Sequence, residues 1–285
     1  MDIQKWNIET LIDACSGSPE GNKKLIIPKF QRRREWKKEQ EDELIETMKF
    51  NNISIGALQL FHLDNVKKMD KYLLVDGLHR CSTLTKYYNN PFLFGTTKTV
   101  IANIIKELQE KYGKTYSKSE IEKMCNTWFC VETLGEYNEF VTEKIFVEKF
   151  DDLKDHVKGF VDKKDVDQIA KLLLAKTKEL SKEVDISKTH IPVILNTGDM
   201  KYLAILFKRL NQNGTPLKPC DILAAKWYDS KKIEIKNVYI VEEIKNHYKE
   251  LKSENNDMEI YIDDDGKLFG AYEYIIGLKR YIFKK

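Results

Sequence analysis

The sequence predicts an α+β protein, a small mixed β-sheet joined to long helical segments, and three observations lead there. Ala57–Leu63 and Lys71–Val75 read as two strands joined by a polar connection, Asp64–Asp70, and so form an antiparallel hairpin. Between Val100 and Leu180, apolar residues recur every three or four positions, the period of helices with one buried face. A strand-like run, His190–Leu195, then returns, followed by further helical stretches. Strands and helices that segregate along the chain in this way belong to the α+β class.

In chain order, Ile8–Ala14 is a short amphipathic helix, and Ser16–Asn22 is a loop by composition. Leu25–Ile27 is a strand stopped by Pro28, and a polar segment to Trp36 leads into a helix over Lys38–Phe50. Ile53–Gly56 is a turn into the hairpin. Tyr72–Val75, four apolar residues in a row, reads as a strand covered on both faces. Asp76-Gly77 then turns the chain, and Leu84, Tyr87 and Tyr88 continue at helical spacing. Phe92–Ile101 fits either strand or loop. Val100–Tyr112, Ser119–Thr127, Tyr137–Phe150, Leu153–Phe160 and Val166–Leu180 are helices, with Ser119 and Glu122 as a capping box. Pro192 places His190–Leu195 at a sheet edge or at a strand start. Helices over Asp199–Leu210, Lys218–Asp229 and Lys236–Leu251 follow, and a last one runs almost to Lys285.

Composition narrows the function classes. With 285 residues, 42% of them hydrophobic, the chain can bury a real core. A net charge of only +3 gives no whole-chain electrostatic signal for nucleic acid. No apolar run reaches the roughly 20 residues a membrane helix needs, and Met1–Lys5 opens no signal peptide, so a cytoplasmic protein without membrane attachment is expected. Five scattered cysteines form no CxxC pair, which argues against a disulfide framework and a zinc site. There is no GxxxxGK[ST] phosphate loop, no HExxH and no HNH-type constellation.

Arginine points to the site. Of 48 basic residues only six are arginines, and they fall in three segments and one terminal helix: Arg32–Arg34, Arg80, Arg209 and Arg280. A guanidinium offers a planar, always-charged fork for phosphate that lysine cannot copy. Arg80 follows Asp76, Gly77 and His79 where a strand meets a helix N-terminus, a place whose free N–H groups suit an anion. The bland readings are an ordinary Asp-Gly turn and, for Asn211–Leu217, a helix C-cap.

The three segments together resemble a known family. Ile27-Pro28-Lys29-Phe30-Gln31-Arg32 with Trp36 resembles its IPxFQRxxxW opening. Val75–Arg80 resembles its DGQQR signature, and Phe207–Leu217 its FxRLNxxGTPL segment. The family is the N-terminal domain of GmrSD-type modification-dependent restriction enzymes. The resemblance implies a ParB/sulfiredoxin-like core over 1–98, a helical insertion over 99–185, a return to the core over 186–230 and an open-ended helical extension over 231–285. It implies a regulatory domain of a DNA restriction or anti-phage protein that binds a nucleoside triphosphate and hydrolyses it with Mg²⁺. DNA would be met through the full-length protein or a partner nuclease domain, and self-association is left open. Carried onto this chain, Asp76, His79 and Arg80 are the catalytic candidates, with Asp76 also at the metal. Gln31, Arg32, Gly77, Arg209, Asn211 and Gly214 are the nucleotide-binding candidates. The sequence departs from the signature at Leu78-His79, where the family has two glutamines. His79 retains hydrogen-bonding capacity and Leu78 has none. Binding without turnover, or a DNA-binding clamp, is therefore the rival to hydrolysis, and a free-standing nuclease is third.

Overall fold

The structure, a computed structural model, describes residues 1–17, 22–28, 36–49, 54–63, 70–129, 143–198, 202–210, 227, 232–254 and 268–283, with backbone alone at 143–150 and 204. Its class is α+β, as the sequence predicts. The chain forms two compact units, one from Met1–Trp36, Ser54–Ser82 and Thr189–Lys285, the other from Lys37–Ile53 and Thr83–Lys188.

The first unit holds a five-stranded mixed sheet. Strands β1 (Asp2–Asn7), β2 (Lys23–Ile26), β3 (Leu58–Leu63), β4 (Asp70–Asp76) and β5 (His190–Asn196) lie in the order β1-β5-β3-β4-β2. β3 and β4 are antiparallel, as the hairpin reading requires; β2 runs parallel to β4, and β5 parallel to β3. Tyr72, Leu73, Leu74 and Val75 are all buried, as expected for a strand with a neighbour on each side and cover on both faces. Helix α1 (Ile8–Ser16) links β1 to β2; the Asn7 side chain accepts from the Thr10 N–H at 2.8 Å and caps it.

On one sheet face, Ile26, Phe61, Leu73 and Val75 form a buried cluster with Leu203 and Phe207. Those two come from the helix Leu203–Leu210, which opens the third motif. Phe207, the first residue of that motif, is thereby packed against β4, the strand that delivers Asp76. The unit also contains the helices Val238–Glu254 and Ala271–Ile282, joined by the Tyr248 hydroxyl donating to Glu273 at 2.6 Å and by Arg280 bonding Glu243 and Glu250.

The described elements of the second unit are helical. They comprise α2 (Lys38–Lys49), the greater part of α3 (Leu78–Asn89), α4 (Gly95–Tyr112), α5 (Lys118–Trp128), α6 (Glu143–Lys158) and α7 (Val166–Val184). Buried Glu41 pairs with Lys86 at 2.9 Å, and the Trp128 indole donates to the Thr177 hydroxyl at 3.1 Å.

Five local readings are corrected. Tyr137–Phe150 and Leu153–Phe160, read as two helices, are one helix over Glu143–Lys158, continuous across Asp151 and Asp152, with residues 137–142 outside the described ones. Phe92–Ile101 is neither strand nor loop: a single 3₁₀ turn, Pro91–Leu93, leads straight into α4. The α4 terminus is satisfied from another helix, since Asp42 accepts from the Gly95 N–H at 3.0 Å, a contact no local pattern reveals. The capping box of α5 is Ser117 with Glu120, two residues earlier than read. β5 is internal, yet Pro192 costs no bond: it faces Lys5 of β1, whereas β3 begins to pair only at Val193. β1, polar along most of its length, was not read as a strand at all. The stretches Lys218–Asp229 (apart from Trp227) and Met258–Gly266 lie outside the described residues. Among the described residues no helix is long and apolar enough to cross a membrane.

Candidate functional site

The site is built by the turn from β4 into α3. One irregularity sets it up: Leu60 faces Leu74 while its neighbour Gln59 faces Asp76, so Val75 is an extra residue in the ladder. Such a bulge re-aims the residue that follows it. Gly77 then takes φ +104°, a conformation side chains resist, and the first bond of α3 runs from the Cys81 N–H to the Gly77 carbonyl at 2.9 Å. Gly77 thus stands at the cap position with no side chain to cover the first N–H groups of the helix. A helix start carries partial positive charge, which favours an anion.

Arg80 is fixed at this helix start. Its Nη2 donates to Asp76 Oδ2 at 2.7 Å, and its Nη1 donates to the Ile55 carbonyl at 3.1 Å. Two glycines flank the guanidinium. A Cβ at Gly56, where φ is +83°, would lie 2.9 Å from Nη1, and a Cβ at Gly77 would lie 3.3 Å from Nη2. The Arg80 side chain is 15% exposed and that of Asp76 37% exposed, so the cation is sheltered and the carboxylate meets solvent. Two of five guanidinium N–H donors are committed to these contacts.

The opening motif meets the turn through an aromatic contact. The Trp36 indole stacks on the His79 ring, centroids 5.2 Å apart and planes 14° from parallel. Asp76 and Arg80 are thus joined directly, while His79, one position before Arg80, meets Trp36. Arg209 is exposed on the helix whose buried face carries Phe207. Gln31, Arg32, Asn211 and Gly214 lie outside the described residues. Leu78 is buried, so the position where the signature has its first glutamine belongs to the interior here, and a leucine suits it.

Sequence reasoning quoted Trp36 and the Ile53–Gly56 turn without assigning them to the site, and it missed Gln59. The glycine of that turn was the available signal, because a glycine before a strand marks a close approach of backbone to another group. Cys81, next to Arg80, is a packed thiol. Its contact with the Cys15 thiol, reinforced by burial, raises it well above the ordinary range and keeps it protonated.

No group of three or more His, Cys, Asp or Glu residues that could hold a metal occurs among the described residues. The donors present do not make an all-protein cage. They do fit Mg²⁺ bound chiefly by phosphate and water, which needs one or two carboxylates from the protein. Asp76 has one oxygen on Arg80 and a second turned to no described donor.

Comparison with known proteins gives one match. The family model for the GmrSD restriction endonuclease, N-terminal domain, matches residues 15–228, a span that contains all three motifs. No curated protein and no solved structure matches the chain. With three-quarters of its length covered by that one model, the chain belongs to the family of GmrSD restriction endonuclease N-terminal domains.

Proposed function

We propose that this restriction-protein module binds the phosphates of a nucleoside triphosphate at the Asp76–Arg80 turn and hydrolyses it to regulate DNA cleavage by the full-length protein or a partner nuclease. The observation that carries this reading is the guanidinium of Arg80, held by Asp76 and the Ile55 carbonyl at the N-terminus of α3. Phosphoryl transfer asks mainly for positioning and charge neutralisation. Arg80 and the first N–H groups of α3 would take the oxygens of the terminal phosphate. Asp76, through its second oxygen, would orient the water that attacks phosphorus as the bond to the leaving diphosphate breaks, and would receive a proton from it. Mg²⁺, when bound with the triphosphate against Asp76, would supply charge neutralisation. His79, backed by Trp36, would donate to a phosphate oxygen. Gln31, Arg32, Arg209, Asn211 and Gly214 would line the remainder of the nucleotide.

The test is a binding and hydrolysis panel of ATP, GTP, CTP and UTP with Mg²⁺, comparing the wild type with Arg80→Ala and Asp76→Ala. Turnover of at least one triphosphate, lost in both variants, is expected. A wild type that binds none of the four overturns the proposal. One observation favours a second reading, binding without turnover: Asp76 already gives one oxygen to Arg80 and so acts as a brace. Affinity for a triphosphate with no product formed would select it.

A further inference from the structure

Resting on that reading, we infer that Gln59 of β3 is a phosphate-contacting residue of the same site and that Asn196 of β5 is the residue that positions it. In the ladder Gln59 stands directly opposite Asp76. Facing residues of an antiparallel pair have Cβ atoms about 5 Å apart on one face of the sheet. An amide there is beside the carboxylate that holds Arg80.

The direction of that amide is set by its neighbour. The Asn196 amide nitrogen donates to the Leu60 carbonyl and to Gln59 Oε1, both at 3.1 Å, and reaches the Ile194 carbonyl at 3.5 Å. Two of the three partners are backbone carbonyls, which can only accept, so the face that Asn196 turns to them is its NH₂. Gln59 must then present its oxygen to Asn196, and its own NH₂ is sent the other way. Among the described residues no group accepts from that NH₂. The result is an oriented two-proton donor at the mouth of the Asp76–Arg80 turn.

A donor in that position suits the oxygens of a phosphate. It supplies a side-chain amide beside the turn from a different strand, where buried Leu78 cannot. Asn196 does not touch the ligand; it fixes which end of Gln59 does. Only the β3–β4 bulge brings Gln59 opposite Asp76, so neither residue could be paired with the turn from sequence spacing.

The experiment measures binding of Mg²⁺-loaded triphosphates, and of inorganic tripolyphosphate, to the whole chain. Gln59→Met keeps the shape and removes the donor, and is expected to weaken both probes about tenfold, the scale of a hydrogen bond to a charged group. Gln59→Glu keeps the acceptor for Asn196 and replaces the donor by a negative charge, and is expected to weaken both further. Asn196→Ala is expected to weaken binding in the wild type and to add nothing in Gln59→Met, a non-additivity that a general loss of stability would not give. Thermal unfolding of each variant checks the fold. Gln59→Met binding as tightly as wild type while Arg80→Ala does not bind overturns this inference and leaves the phosphate site standing. A loss confined to the nucleotides and absent with tripolyphosphate also overturns it, since the amide would then face the base or sugar. A wild type that binds neither probe removes the site, and this inference with it.

Discussion

Replacing Gly77 by alanine tests whether the turn is held by shape. The backbone there has φ +104°, and an alanine in such a conformation costs about 1–3 kcal/mol. Its Cβ would also lie 2.4 Å from Leu58 Cδ2, well inside contact distance, against a side chain fully buried in the sheet. Overpacking of this kind adds about 1–3 kcal/mol, so Gly77→Ala should cost about 2–6 kcal/mol in all. Gly56→Ala is the natural comparison. Its Cβ meets only the far end of Arg80, at 2.9 Å, which can move, so about 1–3 kcal/mol of backbone strain is the expected cost. Urea unfolding of the three proteins, followed by far-UV circular dichroism, gives both differences. Both variants displace the guanidinium and should lose triphosphate affinity, with only Gly77→Ala losing most of its stability margin. Gly77→Ala within about 0.5 kcal/mol of wild type would refute the packing argument, because scatter among neutral surface changes is that large.

Other perturbations read other parts of the fold. Phe207→Ala empties the buried cluster on β4 and should cost about 3–5 kcal/mol by urea unfolding, lowering triphosphate affinity through Val75 as well. Thr177→Val keeps volume and removes the acceptor of the buried Trp128 indole, for an expected loss of about 1–3 kcal/mol by the same assay. Alkali should unfold the protein early. Burial raises the Cys125 thiol from 9.0 to about 12, and burial followed by the nearby Asp70 carboxylate raises the Tyr72 phenol from 10.0 to about 12. Groups raised in the folded state stabilise fully below their unfolded values, and this stabilisation is lost as pH climbs towards about 12. Each such group gives a slope of about 1.4 kcal/mol per pH unit in its window. Urea midpoints that decline above about pH 9, less steeply in Cys125→Ala, are expected; a flat profile would refute the assignment.

Much of the fold was legible because its signals are local. Apolar runs marked β2, β3 and β4; the Asp-Gly pair marked the turn; helical periodicity marked the starts of α1, α2 and α7, and their ends to within four residues. Readings failed where a distant group decided the outcome. The start of α4 depends on Asp42, about fifty residues away, and Pro192 is tolerated inside the sheet because β3 pairs only beyond it. The site followed the same division. Asp76, Gly77, His79 and Arg80 fall within five consecutive positions and could be read as a group. Ile55 reaches Arg80 from the segment before β3, and Gln59 faces Asp76 only through strand pairing and a bulge; a one-residue irregularity in a ladder leaves no mark in composition or period.

The stacking of Trp36 on His79 gives the site an optical reporter of its own. A protonated imidazole quenches the fluorescence of an indole packed against it, so a change in the contact between His79 and Trp36 would change the emission of Trp36. Trp128 has a comparable neighbour in His156, at 5.7 Å and tilted by 38°, and the difference spectrum between wild type and Trp36→Phe isolates the signal from the turn. A ligand that draws His79 away from Trp36 would brighten or shift that emission without any label attached. Binding at the turn, as proposed, would thus be followed in real time with the chain's own tryptophan.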